Sequence, residues 1–578
     1  MADVTRRGLL GAAGGLLGLA ACDTGGDPEP EVRVKVGADQ RPGYPGGVQF
    51  IHGVASGDPL PERCIIWTRV TPDQPELNQP VPVSYGVFAD AELTMPVAYS
   101  EGYALASRDY TVKVDLSDLE PGTQYWFRFI AKTVGGDVIS PSGRLKTTAR
   151  SGDTPVRFAV ISCSNYPFGY FHAYRDIANQ DAFDAIIHLG DYIYEYGLDG
   201  YGGSTGQAID RNHTPPLETV TLDDYRARHA QYKSDPDLQA AHAAAPWLCT
   251  WDDHESTNNA YRNGAENHDP QAGEGNWTDR KQAAVQAYLE WMPVRDPVPE
   301  LAREALYRHF SFGDVATVIC LETRLTGRSD EISWFTEIGG LEPAAIPAAA
   351  LSTMGRVADP ERTMLGAVQE SWLTTTLETS VAEGRAWQVL ANQTIMANVR
   401  PPNFKANLSE DQIAAQDVGY IQQLIEFSQL NLPWNLDAWD GFPAARERLY
   451  ARVADVGANL VTLTGDTHTA WANTLKDAAG TQRGVEFGCT AVTSPGFGTY
   501  MKAVDDIGEQ FAAANPEVDW YDPNGNGWTE VTLTRQTARA TYHKVSDVRE
   551  QTFTRDTVAA FETRLKGGVA SPLERVEV

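Results

Sequence analysis

Apolar and polar residues follow two different patterns along the chain. Between residues 48 and 149, short apolar segments such as 64–68 and 81–88 are separated by turn residues. Short strands at such spacing are typical of an all-β sandwich. From about residue 157, apolar strands alternate with amphipathic helices, which indicates a mainly parallel α/β sheet. The pattern therefore predicts a multidomain protein, with a β-sandwich over residues 48–149 and an α/β domain over residues 155–550.

The first domain carries a further β signal near its end. A Pro121-Gly122 turn leads into an aromatic, alternating segment, and Tyr125 comes soon after the turn. A tyrosine at this place resembles the tyrosine corner of Greek-key sandwiches, so we expect a fibronectin-III-like β-sandwich. The domain has no cluster of His, Asp and Glu in its sequence, and we expect no chemistry there.

The first 22 residues have the composition of an export signal. Arg6 and Arg7 precede an apolar run that is too short to span a bilayer comfortably and that ends at Cys22. The paired arginines resemble the twin-arginine signal, and the final Leu-Ala-Ala-Cys resembles a lipobox in which Cys22 is lipidated. A signal for the general export route and an unlipidated cleavage site are the alternatives. Residues 23–47 suit a flexible tether, and residues 551–578 are assigned to a C-terminal tail.

The composition of the chain argues against some classes of binding partner. The 578 residues include 47 Lys and Arg against 77 Asp and Glu, which gives a net charge of −30. A basic track for a nucleic-acid backbone is therefore not expected. An acidic protein can still bind phosphate where metal cations reverse the local field. Six dispersed cysteines without a CxxC pair are too few for a disulfide scaffold.

Polar residues follow six apolar strands of the second domain. The strands are predicted at 156–161, 184–189, 247–251, 315–321, 387–391 and 459–464. The residues that come directly after them include Cys163, Asp191, Tyr194, Asp253, His254, Arg324, Asn392, Asp466 and His468. In α/β sheets, ligands bind just beyond the carboxyl ends of strands, so six such ends predict one shared site.

Several of these residues have the chemistry of a metal centre. The oxygen and nitrogen ligands of the kind that hold two adjacent cations are Asp191, Asp253, Asp466 and His468. Two adjacent cations clamp a phosphate and lower the pKa of a bound water, which then attacks phosphorus in line. The set therefore predicts a metal-dependent phosphoesterase.

The strand-end motifs resemble those of the calcineurin-like metallophosphoesterases, which are Asp-x-His, Gly-Asp-x-x-Asp, Gly-Asn-His and Gly-His-x-His. This chain departs from them at four places: at Cys163, at Tyr194, at Asp253-His254 and at Asp466. The departures are those of the PhoD-like alkaline phosphatases, so the chain is identified as a member of that family. The segments that carry this resemblance are 52–59, 188–196, 251–255, 290–295, 439–443 and 465–468.

The resemblance implies an α/β metallo-dependent phosphatase domain that binds Fe(3+) and Ca(2+). Its implied iron ligands are Cys163 and Tyr194, its bridging carboxylate is Asp191, and the remaining metal ligands are Asp253, Asp466 and His468. His254 and Arg324 look like catalytic groups on the phosphate side, since a guanidinium can grip phosphate oxygens bidentately. Packing roles for Cys163 and Tyr194, and a loop-holding role for His254, are the alternatives. Asp252 either contacts calcium or positions the loop, and the length of Glu322, where the family usually has Asp, counts against a direct role.

The expected function is that of an exported alkaline phosphatase that acts on small-molecule phosphate monoesters and diesters. It is expected in the periplasm or at the cell surface, as a monomer that meets the twin-arginine translocase during export and the membrane only through a lipid anchor. One alternative is a phosphodiesterase or phospholipase-D-like enzyme for lipid or wall polymers, and another is an adhesion or carbohydrate-binding lipoprotein. Long insertions at 197–235 and 325–365 are candidates for shaping the pocket.

Overall fold

The computed structural model describes residues 41–180, 183–342, 344–416 and 419–578. The proposed signal at 1–22, with Cys22, and most of the tether at 23–47 lie outside these residues. Within the described parts of the chain, no helix combines the length and apolar character needed to cross a membrane.

Ten short strands make up the N-terminal part of the molecule. They are β1 (Val48–Gln49), β2 (Val54–Gly57), β3 (Cys64–Arg69), β4 (Thr71–Pro72), β5 (Val81–Phe88), β6 (Pro96–Ala104), β7 (Thr111–Leu116), β8 (Gln124–Thr133), β9 (Gly136–Ile139) and β10 (Gly143–Lys146). One antiparallel sheet has the order β10-β8-β5-β6, with β9 paired to β8, while β2, β3 and β7 lie side by side elsewhere. Side chains from both groups, such as Ile66 and Phe127, share one apolar core. The Tyr125 hydroxyl accepts a hydrogen bond of 2.9 Å from the Glu120 backbone N–H, as expected of a tyrosine at this turn.

The second part of the molecule adds fifteen strands. They are β11 (Val156–Ile161), β12 (Ala185–His188), β13 (Pro246–Cys249), β14 (Arg308–Phe312), β15 (Ala316–Cys320), β16 (Trp387–Ala391), β17 (Leu460–Thr464), β18 (Ala470–Lys476), β19 (Gln482–Gly488), β20 (Val518–Asp522), β21 (Asn526–Leu533), β22 (Thr537–Val545), β23 (Arg555–Lys566), β24 (Val569–Ala570) and β25 (Glu574–Arg575). The six strands expected to end at the site are β11, β12, β13, β15, β16 and β17, with bounds close to those predicted.

These strands form two mixed sheets, which corrects the expectation of one mainly parallel sheet. β11, β12 and β13 are parallel neighbours in the larger sheet, and β15, β16 and β17 are parallel neighbours in the smaller one. Phe158 and Val389, one from each sheet, meet in the same apolar core, whereas Ile186 packs on the other face with Tyr174 of a helix. A strand that is buried on both faces has the same apolar pattern whether a helix or a second sheet covers it. The sequence pattern therefore could not separate the two arrangements.

Helices cover the outer faces of the sheets and fill the long connections. They are α1 (His172–Ala178), α2 (Gly203–Ile209), α3 (Leu222–Lys233), α4 (Pro236–Ala244), α5 (Trp277–Trp291), α6 (Trp334–Ile338), α7 (Ile346–Val357), α8 (Gly366–Ala382), α9 (Phe404–Asn407), α10 (Glu410–Ala414), α11 (Gly419–Phe427), α12 (Pro443–Val456) and α13 (Ile507–Ala514). The insertion at 325–365 contains α6 and α7, and a second helical connection, α9 to α11, lies between β16 and β17.

The sheets continue across the predicted domain limits at both ends. β2 pairs in parallel with β13, with Ser56 opposite Pro246, so the second N-terminal group of strands extends the larger sheet. At the other end, β23 pairs with β22 in an antiparallel arrangement. The segment assigned to a C-terminal tail therefore belongs to the larger sheet, because its residues 559–563 are buried against that sheet.

Candidate metal centre and active site

Side chains from the ends of four strands meet in one cluster. Cys163 follows β11, Asp191 follows β12, Asp253 follows β13, and His468 follows β17. Ligand atoms of Cys163, Asp191 and His468 lie within 4.8 Å of one another, and so do those of Asp191, Asp253 and His254. Asp191 belongs to both groups. The cluster therefore has the layout of two adjacent cation sites that share one carboxylate.

The turns that carry these side chains use left-handed backbone. The residues in this conformation include Cys163 with φ +60°, Asp191 with φ +57°, Asp466 with φ +62° and His468 with φ +60°. Such conformations cost about 1–3 kcal/mol each for non-glycine residues, and they are enriched at functional sites, where side chains must point in a fixed direction. Gly190 also has a positive φ, +107°, and a Cβ there would lie 2.4 Å from the backbone of Asp252. The turn after β12 therefore requires glycine at this position.

Tyr194 lies against the ligands of the first group. Its hydroxyl is 3.0 Å from Asp191 Oδ2 and 3.3 Å from His468 Nε2, and it accepts a hydrogen bond from Ser494 Oγ at 2.9 Å. His468 Nδ1 lies 3.2 Å from the Pro495 carbonyl oxygen, so the other ring nitrogen faces the cluster. The phenol oxygen is thus placed among the candidate ligands.

The cluster concentrates groups that become anions in a buried place. Asp191 Oδ1 is buried without a hydrogen-bond partner among the described residues. Burial raises the pKa of Asp191, of the Cys163 thiol and of the Tyr194 phenol well above their usual values. A cation at this point would reverse these shifts, because it stabilises each anionic form. The thiol, phenol, carboxylate and imidazole donors therefore fit a metal ion.

His254 is held beside the cluster by a carboxylate. Its Nδ1 lies 2.7 Å from Glu195 Oε2, and its Nε2 lies 4.0 Å from Asp253 Oδ1. Burial opposes protonation of His254, but the carboxylates of Asp253, Glu195 and Asp191 outweigh it and raise the pKa of the imidazole well above its usual value. Burial likewise acts against ionisation of Asp253, yet His254 and Arg324 hold the pKa of that carboxyl below its usual value.

Arg324 is fully buried next to the same carboxylates. Its Nε donates to Asp252 Oδ1 at 2.5 Å, and its Nη1 donates to Asp437 Oδ1 at 2.7 Å. Its Nη2 has no hydrogen-bond partner within the described chain and lies 4.0 Å from Asp253 Oδ2 and 3.9 Å from Asp466 Oδ1. Two carboxylates thus fix the guanidinium so that one nitrogen faces the cluster and can receive an anion there.

Glu322 and Asp252 both act on the position of Arg324. Glu322 Oε1 accepts hydrogen bonds from the backbone N–H of Arg324 at 2.9 Å and of Leu325 at 2.7 Å. Glu322 Oε2 accepts from the backbone N–H of Thr326 at 2.8 Å, so both oxygens shape the loop. Asp252 holds the guanidinium through Oδ1, and its Oδ2 is buried without a partner among the described residues.

A cavity of about 390 Å³ opens beside the cluster. Asp466 and His468 are among the residues that line it. The rest of its wall is largely aromatic and aliphatic and includes Trp334, Phe335, Ile395, Tyr420, Trp434 and Phe511. The insertion at 325–365 thus contributes to the wall, together with helical segments after β16 that the sequence pattern did not single out.

Sequence reasoning missed three carboxylates that position the site: Asp437, Glu195 and Glu255. Glu255 accepts hydrogen bonds from the backbone N–H of Asp191 at 3.1 Å and of Tyr192 at 2.7 Å, and so fixes the turn after β12. Glu195 and Glu255 stand next to predicted ligands in the sequence, which was a usable signal. Asp437 follows no strand, and nothing in the strand-end pattern indicates it.

Comparison with known protein families identifies the chain. The family model of the PhoD-like phosphatases matches residues 158–542, which are more than half of the sequence. The chain belongs to the PhoD-like phosphatase family. A model of the N-terminal domain of PhoD-like phosphatases matches residues 37–149. The membership confirms the predicted enzyme class, a hydrolase that acts on phosphoric ester bonds.

Two known proteins show how far the similarity extends. Alkaline phosphatase D of Bacillus subtilis (strain 168) is 36% identical over 528 residues, which cover 89% of this chain and 80% of that protein. A solved structure of PhoD is 32% identical, covers 93% of this chain and 94% of its own, and has a TM-score of 0.72. The similarity therefore includes both the N-terminal and the phosphatase parts.

Proposed function

We propose that this protein is a metal-dependent alkaline phosphatase that releases inorganic phosphate from phosphate monoesters and also hydrolyses diesters. The observation that carries the proposal is the pairing of two unsatisfied groups in one buried place. Asp191 Oδ1 has no hydrogen-bond partner, and neither has Nη2 of Arg324, within the described residues. A cation would pair with the Asp191 carboxylate, and an anion would pair with the Arg324 guanidinium. A phosphate ester could therefore bind between the cations and Arg324.

The donor types favour iron(III) at one position and calcium at the other. Cys163 and Tyr194 give a thiolate and a phenolate, which suit a highly charged ferric ion, and Asp191 is close enough to be shared. The carboxylates of Asp253 and Asp466 are oxygen ligands of the kind calcium prefers. His468 would join the iron position, because its ligand nitrogen lies within 4.8 Å of ligand atoms of Cys163 and Asp191. Bound cations would supply positive charge to the phosphate and lower the pKa of the attacking water.

Two side chains have tasks of their own in this proposal. Arg324 binds a phosphate oxygen through Nη2, with Asp252 and Asp437 holding the other two nitrogens. His254 is oriented by Glu195 at Nδ1, which leaves Nε2 to hydrogen-bond the phosphate or to give its proton to the leaving alcohol.

The cellular setting is part of the proposal. Arg6 and Arg7 before a short apolar run favour export by the twin-arginine translocase, and Cys22 favours a lipid anchor. The enzyme would then act in the periplasm or at the cell surface as a monomer. We also propose that residues 48–149 form a fibronectin-III-like sandwich that supports the phosphatase domain, because its two groups of strands share one core.

A second candidate function is a phosphodiesterase for lipid or wall polymers. The cavity of about 390 Å³ beside the cluster favours it, because it leaves room for an alcohol group beyond the phosphate. The metal chemistry would be the same for both functions.

The test is metal analysis and a substrate panel on the purified mature protein. We expect iron and calcium in the active enzyme, release of phosphate from monoesters, and slower or comparable cleavage of diesters. Removal of calcium with a selective chelator should abolish activity, and calcium should restore it better than magnesium. Full activity in protein shown to be free of metal would refute the proposal.

A further inference from the structure

The cavity beside the metal cluster has two chemically different parts. Its lining includes Asp466 and His468 of the metal cluster, and it also includes apolar side chains such as Tyr420 and Leu424. Phosphate chemistry involves the polar part. The apolar part would gain nothing from a small, hydrated alcohol, but it would gain free energy from binding an apolar alcohol group that leaves water.

A second cavity is lined in part by the same aromatic side chains. It has a volume of about 700 Å³, and it shares Trp334, Phe335 and Trp434 with the first cavity. Beyond this shared wall its lining includes the apolar residues Ile338 and Leu430 and the polar residues Gln422, Gln423, Glu426 and Gln429. Phe335 is 51% exposed, so this part of the shared wall is accessible from solvent. We refer to the three shared side chains, Trp334, Phe335 and Trp434, as the apolar track.

The carboxylates in the wall of the first cavity would repel a second anionic group on the substrate. Glu266, Glu331 and Asp437 lie in its wall, and no Lys or Arg is among the described residues that line it. The side chain of Asn259 donates to Glu266 at 2.6 Å and to Glu331 at 3.0 Å, so both carboxylates are fixed in place. A polyanionic substrate would bring its remaining phosphates against these carboxylates.

We propose that the alcohol part of the preferred substrate is hydrophobic, an alkyl chain or an aromatic ring without further negative charge, and that it lies along Trp334, Phe335 and Trp434. This inference rests on the proposed phosphatase function and narrows it: lipid-like phosphate esters fit the site, and anionic wall polymers do not. The metal cluster sets the reaction, and the apolar track sets the substrate.

The test uses the full metal-loaded enzyme and a series of monoalkyl phosphates from ethyl to decyl, each kept below its aggregation concentration. The leaving alcohols of this series have similar acidity, so differences in kcat/KM report binding of the chain. We expect kcat/KM to rise by up to about fourfold for each methylene that becomes buried, until the chain outgrows the track. Benzyl phosphate shows whether a ring serves as well as a chain. The bisphosphate of 1,3-propanediol should react at least about tenfold more slowly than propyl phosphate.

Matched variants locate the effect. Phe335→Asp puts a charge into the shared wall and should flatten the dependence of kcat/KM on chain length. Phe335→Leu should retain the dependence. Leu351→Asp is the control, since Leu351 is 76% exposed on α7 and lines neither cavity.

The outcomes are distinguishable. A flat or falling series in an enzyme that hydrolyses ethyl phosphate overturns the inference and leaves the proposed function standing. Failure to hydrolyse any ester in metal-loaded protein refutes the proposed function itself. Equal flattening by Phe335→Asp and Leu351→Asp would also overturn the inference, because the apolar track would then not be the cause.

Discussion

The metal cluster and the cavity beside it are built from different kinds of structural element. The cluster draws its side chains from short turns at the ends of β11, β12, β13 and β17, and its core ligands, such as Cys163 and Asp191, are fully buried or nearly so. The cavity draws its wall from helical connections, and some of its side chains, such as Phe335, are half exposed. A turn at a strand end fixes the direction of its side chains because the elements on both sides of it are rigid. Helical insertions can change without disturbing the sheets.

The two regions also differ in what stabilises them. The cluster gathers carboxyl groups such as Asp191 and Asp466, whose pKa burial raises, so bound cations would stabilise their charged forms. The outer cavity wall is apolar and depends on shape. Changes in the cluster should therefore remove the reaction, whereas changes around Arg324 or farther away should tune it.

The largest effect is expected for Asp191→Asn. Asp191 belongs to both groups of candidate ligands, so the substitution removes one negative charge from two cation sites at once. We expect metal content to fall and kcat/KM to drop by about a thousandfold or more. Asp118→Asn is the control, since Asp118 also has a left-handed backbone, with φ +62°, but lies in the N-terminal part. Normal turnover by Asp191→Asn would remove the shared carboxylate from the mechanism.

A smaller loss, about a hundredfold, is expected for Tyr194→Phe and Cys163→Ser. The first removes the phenol oxygen and leaves the ring, which stacks on His254 at 4.2 Å, so the fold should survive. The second replaces a thiol by an alcohol that is far harder to deprotonate. If both residues bind iron(III), wild-type protein is coloured, the visible band is lost in Tyr194→Phe, and iron content falls in both variants. Cys249→Ser, in a buried strand, should change stability alone. A colourless, iron-free and fully active wild type would contradict the iron assignment.

The strand-end residues that the sequence singled out lie close together for a physical reason. Strands that are buried on both faces have continuous apolar patterns, so a polar residue directly after such a strand, as in Gly190-Asp191, lies at the sheet edge where ligands bind. The strands β11 and β16 were predicted with the bounds that the structure shows. What failed was the number of sheets, because an apolar strand face does not show what covers it.

The cavity could not be predicted in the same way. Aromatic residues such as Trp334 and Trp434 are typical of any core, and only the arrangement of the chain in space shows that they face a cavity. Asp437 is a similar case. It is 113 residues from Arg324 in sequence, in an irregular segment, and their contact depends on how the long connection folds back. Contacts of this kind follow from tertiary packing and have no periodic signal.

A moderate effect, about tenfold to a hundredfold on kcat/KM, is expected for Asp437→Asn. The substitution keeps the shape but removes the charge that holds Nη1 of Arg324 and that also pairs with Arg328. Phosphate should inhibit the variant less strongly, while metal content stays the same. Asp477→Asn is the control, since Asp477 pairs with Arg483 on the surface. An unchanged inhibition constant for phosphate would show that Asp437 does not position the guanidinium.

Lys233→Met is expected to leave turnover unchanged. The variant tests whether a buried lysine outside the cluster stays charged without a counter-ion. Lys233 is 1% exposed, with its Nζ 3.0 Å from His242 Nε2 and above the ring of Trp67. Burial lowers the pKa of Lys233 from 10.5 to about 7. Between these pH values the unfolded chain binds the proton and the folded protein does not, so the stability of the wild type rises as pH rises from 7 to 10.5.

Lys233→Met should abolish that rise, because methionine fills the same space without a charge. Thermal unfolding followed from pH 6 to pH 10 should therefore show the variant more stable than the wild type at neutral pH, by a few degrees, with the difference shrinking toward alkaline pH. Lys281→Met, which removes a lysine 3.2 Å from Glu304, should follow the wild-type profile. A Lys233→Met profile parallel to that of the wild type would mean that the ammonium stays charged in the folded state. Burial alone would then not be a sufficient argument for the cation proposed beside Asp191.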